Sequence, residues 1–209
     1  MAVTPMFPLE VAMLPGEELP LRIFEPRYVA LVQDCLSQEE PAFGVVLIEA
    51  GREVGGGDRR SSVGALARIV EHADYGIGRY RLKCVVAERI RVLEWLEDAP
   101  YPRADVEVWD DEPAGSIDTA LLEDVEDRIF ALYERIATAR GVPPRSRSEV
   151  IGTREPDAAG WLYALAARFP MGQADRYAVL SAPTVPARLD ALSEAVDTVT
   201  ATVTFQLSE

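Results

Sequence analysis

With 209 residues, 48% of them hydrophobic and 27% charged, the chain has material for one large folded domain or two small ones, which excludes disorder along its whole length. The formal net charge of −14 is spread out, with 21 acids against 12 bases in residues 1–113, and disfavours nucleic acid as a partner. Two cysteines, Cys35 and Cys84, are too few for a disulfide scaffold or a thiolate metal site; both stand in apolar surroundings and are expected to be buried free thiols.

The opening "MAVTPMFPLEVAMLPGEELP" is interrupted by Pro5, Pro8, Glu10 and Pro15, so it holds no leader-like apolar run, and no stretch reaches the ~20 apolar residues of a membrane span. A soluble, cytoplasmic protein is expected. Next comes "LPLRIFEPRYVALVQDCL". Leu19 to Phe24 suit a strand; Glu25 and Pro26 suit a helix start; Tyr28, Leu31, Val32, Cys35 and Leu36 fall on one helical face. Arg22 and Arg27 flank Glu25 and are placed to pair with it. "FGVVLIEAG" is a near-continuous apolar run, as in a strand buried on both faces. "VGALARIVEHADY" alternates, as does "RYRLKCVVAERIRVLEWL", whose phase changes within "AERIRVLEW" and predicts a bulge or a bend between two strands. "RADVEVWDD" alternates again. Between these runs lie the turn-rich "GREVGGGDRRSS", "DYGIG" and "EDAPYP".

"DDEPAGS" then reads as a linker, after which the period becomes helical. Residues from Ile117 to Ile136 predict a helix of about six turns, with Ser116 or Asp118 as cap and Gly141 at its end. "GVPPRSRSEVIGTREP" is a loop with room for a short helical turn. "DAAGWLYALAARF" and "GQADRYAVLSA" predict two more helices, and "TVPARLDALSEAVDTVTATVTF" a last one capped by Thr184. The last has a heptad-like seam of Val185, Leu189, Leu192, Val196, Val199 and Val203, read as bundle packing ahead of a coiled-coil dimer. Its end, "VTATVTF", also alternates like a strand, so residues 196–207 are open between helix and strand. The expected fold class is α+β: a small mixed β-barrel or pair of sheets with one N-terminal helix over residues 1–112, then an α-helical bundle over 117–209.

Familiar catalytic sets are missing. "GREVGGGD" lacks the lysine and hydroxyl of a phosphate-binding loop. The only lysine, Lys83, shares a strand face with Arg79 and Arg81 and reads as solvated. The only histidine, His72, stands near a strand end without ligand spacing or a nucleophile at hand. The paired acids, Asp110–Asp111–Glu112 among them, fall in turns and linkers, where solvated charge is the default. No catalytic residue, metal or cofactor is expected.

The order of "MFPLEVAMLPGEELPLRIFEPRYVALVQDCL", "FGVVLI", "VGALARIVE", "GRYRLKCVVAERIRVLE" and "PYPRADVEV" resembles the amino-terminal substrate-binding domain of Lon proteases, and "AAGWLYALAARFPMGQADRYAVLSAPTVPARLDALSEAV" is more loosely similar to the helical subdomain that comes after it there. The resemblance implies a PUA-like barrel. The chain stops at Glu209 and has neither the ATPase lysine nor a Ser–Lys peptidase dyad, so a stand-alone, non-catalytic module is expected. Its implied partners are unfolded or exposed polypeptide segments, with a protease acting in trans, and its expected state is a monomer or weak dimer. An RNA-binding PUA-like protein and a small-molecule binder are the alternatives. Aromatic and arginine residues near strand ends are the candidate contacts: Phe24, Arg27, Tyr28, Tyr80 and Tyr101. Pro8, Arg22, Glu25 and Pro26 are expected to be structural.

Overall fold

The computed structural model describes residues 3–50, 59–154 and 156–207; the "GREVGGGD" stretch, expected to be turn-rich, lies outside the described residues. The chain divides into two compact units, with the boundary between Asp110 and Asp111.

The first unit holds β1 (Val3–Leu9), β2 (Glu18–Ile23), α1 (Pro26–Leu36), β3 (Ala42–Ala50), β4 (Arg59–Asp74), β5 (Tyr80–Leu96) and β6 (Arg103–Val108). The strands run in the order β2-β5-β4-β3-β1-β6, and β6 pairs back onto β5, so five of them close into a barrel. One edge of β5 is shared end to end: its first half pairs with β2 and its second half with β6. β2 is therefore an appended strand with β5 as its strand neighbour among the described residues.

The phase change in "AERIRVLEW" is a bulge, and β5 remains one strand. Ala65 and Ala67 of β4 face Arg89 and Val86 of β5, which leaves an extra β5 residue between them, and a second shift falls between Val92 and Glu94. Each extra residue swaps the faces of the residues after it. Leu82, Cys84 and Val86 thus join one core, with Phe7, Phe43 and Val45, covered by Tyr28, Leu31, Val32 and Cys35 of α1. Ile90 joins the other, with Met6, Val46 and Ala104. β3 contributes to both cores, as its continuous apolar run predicts.

β1 was not legible as a strand because Pro5 and Pro8 interrupt it. Proline cannot donate to a ladder and belongs where a strand has one neighbour. β1 meets this locally: Pro5 is in register with Arg103 of β6, whereas Pro8 is in register with Val46 of β3.

The second unit holds α2 (Thr119–Arg140), α3 (Arg147–Val150), α4 (Ala158–Arg168), α5 (Gln173–Ser181) and α6 (Val185–Gln206). Asp118 caps α2 by accepting from the amides of Ala120 and Leu121, and Gly141 closes it at φ 63°. Asp157 and Thr184 cap α4 and α6. α6 packs on α2, α4 and α5 through Leu189, Leu192, Ala195 and Val196. The open question over residues 196–207 resolves as helix through Gln206. The hydroxyls of Thr198, Thr202 and Thr204 donate to carbonyls four residues back, so they find partners within the helix itself.

Not every acid of "DDEPAGS" is free in solvent. Asp111 pairs with Arg188, a fully buried arginine whose guanidinium also lies 4.0 Å from the Tyr163 ring centroid. A second buried charge, Glu126 on α2, accepts from Trp161 Nε1 at 2.8 Å and from Arg154 at 2.9 Å. Both arrangements pair a buried charge with an opposite one.

Candidate functional site

The candidate site grows out of "LPLRIFEPRY". Along β2, Leu19 and Ile23 turn into the core, while Pro20 and Arg22 face out. The residue before a proline is held extended, so Glu25 stays at φ −72°, ψ 132° and Pro26 opens the helix. The Glu25 carbonyl accepts from the amides of Tyr28 and Val29 at 3.0 and 2.9 Å. Phe24, caught between strand end and helix cap, is left outside, 67% exposed.

Behind it the corner is layered. Tyr28 is 3% exposed and stacks on Phe7 with ring centroids 4.1 Å apart. The Arg27 guanidinium lies 4.4 Å from the Tyr28 centroid and 3.3 Å from the Glu25 carboxylate. Glu25 is thus tied to Arg27 alone among the described residues. Arg22, expected to be able to share that tie, lies on the outer face of β2 opposite Arg81 of β5.

The facing wall comes from the β4–β5 turn. The Tyr75 amide donates to the Arg79 carbonyl at 2.9 Å, and Asp74 Oδ1 accepts from the Gly76 amide at 2.7 Å. Gly76, Ile77 and Gly78 all have positive φ, which glycine adopts freely and isoleucine does not; Ile77 is also fully exposed. The turn lifts Tyr75 and Arg79 beside Phe24. Tyr80 comes next, half-buried, its hydroxyl 3.5 Å from Gln33 Nε2 on α1.

Together Arg22, Ile23, Phe24, Tyr75, Arg79, Tyr80 and Arg81 line an open groove of about 470 Å³. Phe24 is also the partition to a smaller hollow of about 180 Å³, floored by Phe7, Leu21 and Tyr28. Further along the same strands is a polar depression with Glu18, Glu71, His72 and Lys83. Lys83 there stands 3.5 Å from Glu18 and 3.8 Å from Glu71, on a solvated face as its sequence context suggests. The main groove therefore offers the positive charge of three guanidiniums beside aromatic surface.

The groove gathers two of the five candidate contacts, Phe24 and Tyr80. Arg27 and Tyr28 stand behind it in the packed corner. Tyr101 is elsewhere, 6% exposed, and its hydroxyl donates to Asp34 Oδ2 at 2.6 Å, anchoring α1. Burial first, and then the Asp34 carboxylate, push its phenol up to about 12. Tyr75 was not singled out, and Arg79 and Arg81 were read with Lys83 as a solvated strand face rather than as polypeptide contacts. Their signal was the "DYGIGRYR" turn, but only the β2–β5 register brings Arg22 to them. Among the described residues no group of three or more His, Cys, Asp or Glu is arranged to hold a metal, and no helix is long and apolar enough to cross a membrane.

A barrel with an appended strand, an α-helical unit and an arginine- and aromatic-lined groove define a binding domain by their chemistry. The model of the ATP-dependent protease La (LON) substrate-binding domain matches residues 3–198, and the chain belongs to that family. It is 30% identical over 132 residues to a Lon protease of Anaeromyxobacter dehalogenans (strain 2CP-C), covering 63% of this chain and 15% of that one. It is 30% identical over 197 residues to Lon protease 2 of Sorangium cellulosum (strain So ce56), covering 88% of this chain and 23% of that one. The chain thus spans less than a quarter of the length of these relatives. In fold it is similar to the crystal structure of a Lon N-terminal domain protein from Xanthomonas campestris, with a TM-score of 0.64 at 23% identity over 92% of this chain and 97% of that one.

Proposed function

We propose that the chain is a non-catalytic module that binds exposed, unstructured polypeptide through the groove around Phe24, in isolation or on behalf of a protease acting in trans. The observation that carries this reading is Phe24 itself. A large aromatic side chain, 67% exposed, stands between two hollows whose floors are apolar and aromatic, and contiguous surface of this kind marks interaction sites. The substrate-binding description of the family supports the same reading.

The test uses an unfolded probe, reduced and alkylated α-lactalbumin, titrated against the full chain and followed by fluorescence anisotropy. The unfolded probe should bind, and its folded form should not. Phe24→Ala should weaken binding about tenfold, the usual cost of truncating an aromatic anchor. Stability should stay within about 0.5 kcal/mol, because the side chain leaves no cavity. Equal binding of folded and unfolded probe, or full affinity in Phe24→Ala, overturns the reading.

A further inference from the structure

Arg22, Arg79 and Arg81 are exceptional in the first unit. Every other described arginine or lysine there has an ion pair, hydrogen bond or aromatic ring to meet: Arg27 with Glu25, Arg59 with Glu49, Arg60 with Asp98, Arg68 with Glu40 and Glu88, Lys83 with Glu18 and Glu71, Arg91 with Glu107, Arg103 with the Glu97 carbonyl and Arg89 with Trp109. The three exceptions make no side-chain ion pair among the described residues, and they converge on one groove.

Their register sharpens the point. Arg22 and Arg81 are direct cross-strand partners, and across the other edge Arg81 faces Ala73. Like charges directly opposite each other destabilise a sheet. One step along β5, Lys83 stands between Pro20 and Glu71 in register and finds both Glu71 and Glu18. Among the described residues no acid does the same for Arg81. In a chain of net charge −14, uncompensated cations are not forced by any shortage of carboxylates.

We propose that these three guanidiniums select acidic side chains, so that the groove prefers an extended segment with glutamate or aspartate beside an apolar or aromatic residue. This rests on the polypeptide-binding reading and names its substrate class. Two features favour a peptide over a phosphate polymer. The groove is bordered by Glu18, Glu71 and Asp74, which would repel a regular run of phosphates far more than one or two carboxylates. And β2 has β5 as its strand neighbour among the described residues, so an extended chain has a strand to lie along, with Phe24 to cover its apolar side chain. Arginine suits the task because its planar fork grips a carboxylate with two parallel hydrogen bonds.

The experiment compares three end-capped peptides of about ten residues, one strand's length at the long end. Each carries phenylalanines flanked by glutamate, by glutamine or by lysine, and is titrated against the full chain by fluorescence anisotropy at about 0.1 M salt. The glutamate peptide should bind about tenfold more tightly than the glutamine one, and the lysine peptide most weakly. The triple variant Arg22→Ala, Arg79→Ala, Arg81→Ala should abolish the preference, so that the glutamate and glutamine peptides bind within about twofold of each other. Its melting temperature should hold or rise, since like-charge repulsion is relieved, which separates recognition from a structural role. Equal affinity for glutamate and glutamine peptides overturns the proposal while polypeptide binding stands. If no peptide binds, both fall. An oligouridylate that outbinds the glutamate peptide through the same arginines assigns the groove to phosphates and overturns it as well.

Discussion

Cys35 and Cys84 make the pH dependence of the fold readable from single side chains. Both are wholly buried, and Cys35 Sγ donates to the Ala42 carbonyl at 3.2 Å. Burial raises both thiols to about 12, with Asp34 adding to the shift of Cys35. Unfolded, they titrate near 9. Between about pH 9 and 12 the folded chain therefore holds protons that the unfolded chain has lost, and stability falls as pH rises through that window, by about 1.4 kcal/mol per pH unit for each thiol. Below pH 9 both states hold the protons, and the thiols contribute no slope. Urea unfolding at about pH 8, 9.5 and 10.5 should show a falling midpoint. Cys84→Ala should start less stable, from its lost packing, yet fall less steeply; an unchanged slope would show that the thiols are not its source. A thiol reagent at about pH 8 should modify neither residue until the chain is unfolded.

At the scale of elements, α1 is held to the barrel by its buried face, and Tyr28 is the largest piece of it. Tyr28→Ala removes the ring stacked on Phe7 and should cost about 3 kcal/mol in urea unfolding. Tyr28→Phe keeps the ring and should cost less than about 1 kcal/mol. A small loss in the alanine variant would mean that the corner is softer than its packing implies. The contrast with Phe24, four residues away, shows where sequence reading reached and where it stopped. The corner itself was legible, because Pro26 and the spacing of Tyr28, Leu31, Val32 and Cys35 are local signals. So were the phase change in β5, which left a bulge or a bend open, the cap Thr184, and Asp118 as one of two caps offered for α2, all of which depend on a few neighbouring residues. β1 was hidden because two prolines argue against a strand unless its neighbours change along its length. The meeting of Arg22 with Arg81 was also hidden. It arises from the pairing of strands distant in sequence, and no local pattern sets that register. The Thr-rich end of α6 was undecided because alternation and helix-face spacing coincide there; the helix runs on into it from the packed turns that bury Leu189, Leu192, Ala195 and Val196.

For the whole molecule, the groove's charge and the chain's charge have opposite signs, and salt separates them. The net charge is −14, so an acidic peptide is repelled at long range. At about 0.01 M salt the Debye length is roughly 30 Å and the approaching peptide feels most of the molecule; at about 0.15 M it is roughly 8 Å and the peptide feels chiefly Arg22, Arg79 and Arg81. Added salt should therefore speed association of the glutamate peptide across this range, the reverse of ordinary steering between opposite charges. Dissociation should also quicken, because the contacts with the guanidiniums are themselves screened. The glutamine peptide should show neither trend. Stopped-flow binding at three salt concentrations resolves the two rates. If association slows with salt, the local field of the arginines already outweighs the whole-molecule charge at a distance. The groove would then act as a long-range attractor, and its three cations would set the rate of capture as well as the choice of segment.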